Sequence, residues 1–112
     1  MNDRVSRIND LIQEELGKIF LRELEFPKNT LITITRVDTA SNIITSKVFV
    51  SVIPDIQRER VLRVLNKRIY FIQQMLNKCL KMRPIPRIIF HQEDKTSDAA
   101  RVEEVLEELK KD

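Results

Sequence analysis

The chain has 112 residues with one glycine, one histidine, one cysteine and a formal net charge of +3. That length suits one domain, by the usual span of roughly 100–200 residues, and suffices for a real core. A single glycine, Gly17, excludes a P-loop, a dinucleotide fingerprint and a GxxG phosphate clamp, while lone Cys79 excludes a disulfide framework and a zinc cluster. With no secretory h-region and no apolar run of membrane length, the expectation is a soluble, cytoplasmic protein.

Residues 3–25 read as a helix. Val5, Ile8, Ile12, Leu16, Ile19 and Phe20 share one arc, as in a helix packed on a core. Gly17 inside it costs about 1 kcal/mol against alanine, so tight packing is expected there. Arg4, Arg7, Lys18 and Arg22 are interspersed with acids and read as solvated. Phe26-Pro27 ends the helix.

Leu31 to Val37 is rich in β-branched residues and reads as a strand, Asp38 to Asn42 as a turn, and Ile43 to Ile53 as a second, antiparallel strand. Period-two alternation puts Ser46, Val48, Val50 and Val52 on one face and Thr45, Lys47, Phe49, Ser51 and Ile53 on the other. Phe49 beside Lys47 could be a base-stacking platform, but a phenylalanine so placed is more often covered by a helix.

Residues 57–87 hold nine of the twenty basic residues and one acid, Glu59. The same stretch has helical apolar spacing: Leu62, Leu65, Ile69, Ile72, Leu76 and Leu80 share one side. Arg60, Arg63, Lys67, Gln74, Lys78 and Lys81 share the opposite side. Like charges without interleaved carboxylates repel one another, and a polyanion laid against them explains the stripe better than solvent does. A straight helix from Ile56 to Met82 would run about 40 Å, against a radius of gyration near 13 Å for a compact domain. A kink between Lys67 and Ile72 is therefore expected, although no proline or glycine marks it. Cys79 falls on the apolar arc and reads as a buried thiol.

Arg83-Pro84-Ile85-Pro86 reads as a rigid connector and Arg87 to His91 as a third strand. His91, with no second histidine or nearby cysteine, reads as a strand end rather than a ligand or base. From Ser97, Val102, Val105, Leu106 and Leu109 mark an amphipathic helix over about 97–111. The result is one α+β domain over 1–112: a three-stranded sheet packed on helices in the order αββααβ, followed by a C-terminal helix. No constellation supports catalysis, a cofactor or a metal, and a non-enzymatic protein is expected.

That order is the topology of type II KH domains, and the sequence resembles the ribosome-binding factor A family nearly from end to end. The matching stretches are 7–16, 32–37, Ser46-Lys47-Val48-Phe49-Val50-Ser51-Val52, Leu65-Asn66-Lys67, 83–90 and 100–106. The resemblance implies a cytoplasmic factor that binds the immature small ribosomal subunit and its rRNA. It implies a role in late maturation and 5′-end processing, and in some bacteria chiefly in the cold. The family's helix-kink-helix centres on an Ala-x-Gly motif, which aligns here with Arg68-Ile69-Tyr70, so both small residues are replaced. Ile44 takes a position that is commonly basic.

The expected phosphate contacts are Arg60, Arg63, Lys67, Arg68, Lys78 and Lys81, with Arg83 and Arg87 at the connector, in a monomer without small-molecule substrate or membrane partner. An alternative is a protein-interaction module whose basic helix docks an acidic partner. A DNA-binding helix lacks a turn-helix pair to support it.

Overall fold

A computed structural model describes residues 3–93; the expected C-terminal helix lies outside the described residues. The elements are α1 (Asp3–Glu23), β1 (Leu31–Thr39), β2 (Thr45–Ile53), α2 (Arg58–Lys67), α3 (Ile69–Cys79) and β3 (Arg87–Gln92), with a 3-10 turn at Asp55–Gln57 before α2. β2 is central, antiparallel to β1 and parallel to β3.

The helices pack on one face of the sheet. From the sheet, that core takes Val37, Val48, Val50, Val52, Ile88 and Phe90; from the helices it takes Ile8, Ile12, Leu16, Ile19, Phe20, Val61, Leu65, Ile72 and Leu76. The expected faces of β2 hold: its buried positions are Ser46, Val48, Val50 and Val52. In α2 the fully buried residues are Val61 and Leu65, with Leu62 only half-buried, so the helix is rotated slightly from the expected arc.

β1 needs a correction of phase to bury its apolar residues. Ile32 and Ile34 point inward, and strict alternation would bring Arg36 in after them. A bulge between Ile34 and Arg36 flips the phase, so Val37 enters the core and Arg36 faces out opposite Phe49. Polar atoms that enter the core are matched. Asn9 Oδ1 accepts from the Thr39 amide at 2.9 Å and the Thr39 hydroxyl at 2.5 Å, and that hydroxyl lies 2.7 Å from Ser46 Oγ.

Between the strands, Ile43 lies in the turn rather than in β2, with φ 60° and its side chain buried. A β-branched residue strains there, and the core contact of the side chain offsets that strain. The tight packing expected at Gly17 is absent: a Cβ there would meet nothing within 4 Å. The residue borders an open groove lined by Phe20, Leu21, Phe26 and Leu31.

The long helix breaks at Arg68 (φ −102°, ψ 8°), inside the expected interval. Helical bonds from Arg68 N to Val64 O and from Ile72 N to Arg68 O are kept on either side, so the break is confined to the Arg68 backbone. The sheet supplies the reason. Val61 and Leu65 settle over β2 and β3 while Ile72 and Leu76 settle against α1 and β3, and one straight axis does not serve both seats.

Candidate nucleic-acid interface

Both halves of the broken helix bury their apolar side in one core, so their other sides turn away from the sheet. On α2 that outer side carries Arg60, Arg63 and Lys67; on α3 it carries Gln74 and Lys78, all exposed. None of these cations forms an ion pair among the described residues. Other cations do: Arg58 lies 3.5 Å from Asp55, and Lys18 reaches Glu15 at 3.4 Å and Glu14 at 3.8 Å.

The remaining expected contacts are not part of that helical stripe. α3 stops at Cys79, and Leu80 is already extended (φ −91°, ψ 132°), so Lys81 belongs to the connector and not to the helix. Arg83 also lies there, with Nη1 donating to Met82 O at 3.0 Å. Arg87 opens β3 at an exposed position beside Thr45, on the sheet face away from the helices. Arg68 turns aside. Its guanidinium lies over the Phe71 ring at 4.4 Å, and it lines a hollow with Glu23, Glu25 and Val64. Cys79 is half-buried rather than buried.

Two features were not read from the sequence. Gln73 ties the connector to α3: its Nε2 donates to Pro86 O at 3.2 Å and its Oε1 accepts from the Ile88 amide at 2.8 Å. On the far side of the connector, Met82 shares a hollow with Arg4, Arg7, Ile8 and Leu11. The first turn of α1 thus brings Arg4 and Arg7 beside Met82 of the connector. Their spacing of three, one face of one turn, was the available signal.

Among the described residues no helix covers Phe49. It stands on the sheet face opposite the described helices, between the Arg36 guanidinium at 3.8 Å from its centroid and the His91 ring at 5.6 Å with 30° between planes. Arg36 also pairs with Glu93 at 3.2 Å. Both ring faces are occupied, which leaves no platform for a base. His91 is a stacking partner near the end of β3. Among the described residues no group of histidine, cysteine and carboxylate side chains could hold a metal, and no helix is long and apolar enough to cross a membrane.

A three-stranded α+β domain in the KH-like order, with its helices on one sheet face and an unpaired cationic side on a broken helix pair, is the class of protein these features define. The sequence pattern of "Ribosome-binding factor A" matches residues 4–106. Ribosome-binding factor A of Pseudomonas paraeruginosa is 31% identical over 93% of this chain and 84% of its own length. The crystal structure of ribosome-binding factor A from Thermus thermophilus superposes with a TM-score of 0.66 at 20% identity, covering 79% of this chain and 94% of that one. The Thermus thermophilus factor as fitted into a cryo-EM map of a 30S–RbfA complex gives 0.58 at 23% identity, covering 78% and 88%. The chain belongs to the ribosome-binding factor A family.

Proposed function

We propose that this chain is a non-enzymatic assembly factor that binds the immature small ribosomal subunit in the cytoplasm, holding rRNA during late maturation and 5′-end processing. The observation that carries this reading is the outer side of α2–α3. Among the described residues Arg60, Arg63, Lys67 and Lys78 have no ion-pair partner, in a chain whose family is named for ribosome binding. Lys81, Arg83 and Arg87 extend the cationic surface along the connector, and Arg68 is the weakest of the set because Phe71 already engages it. The protein acts as a monomer, as one domain over 1–112, without cofactor. No base-reading pattern accompanies the cations, so recognition rests on backbone and shape.

About five neutralised phosphates give a log–log salt slope near −4 on duplex-like RNA. The test is co-sedimentation of the tagged protein with small subunits on a sucrose gradient. The Lys67→Glu, Lys78→Glu variant should leave the small-subunit fractions while its circular dichroism and melting temperature stay unchanged; unaltered co-sedimentation would remove this face from consideration. A pull-down with and without ribonuclease distinguishes an acidic protein partner, whose capture would survive the digestion.

A further inference from the structure

We propose that Tyr70 is a stacking platform for a single unpaired nucleobase in the bound RNA. The proposal rests on the RNA-binding reading above and adds to it the kind of RNA feature recognised. Tyr70 is the chain's only tyrosine, and there is no tryptophan. It is 75% exposed, whereas every phenylalanine in the chain is buried or half-buried. Among the described residues its ring has no stacking or cation partner, because Arg68 lies on Phe71 instead.

An isolated exposed apolar side chain needs no explanation by itself, and Leu21 and Ile56 are exposed as well. Tyr70 differs from them in its surroundings. It heads the exposed side of α3, with Gln74 one turn on and Lys78 two turns on, and Lys67 stands exposed three residues back across the break. A flat π-surface is thereby flanked along the chain by an exposed cation on each side. The rise from Tyr70 to Lys78 along α3 is about 12 Å, within the combined reach of a flexible lysine side chain and the phosphate beside a stacked nucleotide. Bases inside a duplex already have stacking partners; an extruded base does not, and aromatic side chains take such bases with little regard to sequence. The ligand is therefore an RNA bulge, loop or strand end, with its base on Tyr70 and its flanking phosphates on Lys67 and Lys78.

All aromatic emission of the intact protein in the tyrosine band comes from Tyr70, so the residue reports on itself. The probes are an RNA hairpin with one extruded adenosine and the same hairpin fully paired. Saturation with the bulged hairpin should quench the emission, and the paired hairpin should leave it nearly unchanged. Tyr70→Ala should weaken the bulged hairpin roughly 5- to 100-fold and the paired hairpin less than about twofold, while Tyr70→Phe stays within about threefold of the parent.

Unquenched emission at saturation, or equal binding of the bulged hairpin by Tyr70→Ala and the parent, overturns the stacking role and leaves RNA binding standing. Failure of both hairpins to bind removes the RNA reading and the platform with it. If Tyr70→Ala lowers co-sedimentation with small subunits without changing either hairpin affinity, Tyr70 touches a ribosomal protein and the proposal is wrong.

Discussion

The outer side of α2–α3 and the sheet face opposite the described helices both display arginine, yet they use it differently. On the sheet, Arg36 is held by Phe49 on one side and by Glu93 on the other, and the Glu93 side chain is only 7% exposed. On the helices, Arg60, Arg63, Lys67 and Lys78 are exposed, with no carboxylate among the described residues paired to them. A cation satisfied inside the fold contributes to stability and has little left to offer an external anion. A cation without a partner costs self-repulsion in the free protein and gains when a polyanion arrives. Counting basic residues therefore overstates the proposed docking surface; the cations unpartnered among the described residues are the ones that favour it.

The largest effect expected is on binding. Neutralising Lys67 and Lys78 to glutamine should flatten the salt slope by about two units, measured by RNA affinity between low and high salt, with the melting curve unchanged. A smaller binding effect at Arg36→Gln, under one unit of slope, would sharpen the contrast; an equal effect would erase it. Next in size is Asn9→Ala, which leaves the Thr39 amide and hydroxyl without their acceptor. It should cost about 1–3 kcal/mol in denaturant unfolding without altering affinity per folded molecule. Glu93→Gln should then cost about 1 kcal/mol by releasing Arg36 and should raise RNA affinity slightly, since a cation is set free. Smallest is Gly17→Ala, expected to stabilise by about 0.5–1 kcal/mol, because the added Cβ meets nothing within 4 Å. Destabilisation at that position would mean that the groove beside Phe20 is closed in solution.

Several of these distinctions were legible early and others were not. The break near Arg68 followed from length alone, since a rod of that size does not fit a small domain. Val64 and Phe71, which fall off the apolar arc, are half-buried on either side of the break. The end of α3 was placed too late. Leu80 continues the helical spacing, yet the chain turns extended there so that Gln73 can fix the connector; no local residue announces that side-chain clamp. None of the described helices covers Phe49; alternation identifies two faces of a strand without saying which one α1, α2 and α3 take.

The sequence by itself determined the order of elements, the buried face of β2, the bend and the cationic outer side of the long helix. These follow from periodicity and charge, which act over a few residues and are written in the chain. Only the tertiary structure decided which cations are occupied. The pairing of Arg36 with Phe49 and Glu93 depends on a bulge and on strand register, and the turning of Arg68 toward Phe71 and the end of α1 depends on how two helices meet. Contacts between residues far apart in sequence are set by packing, and local spacing carries no record of them.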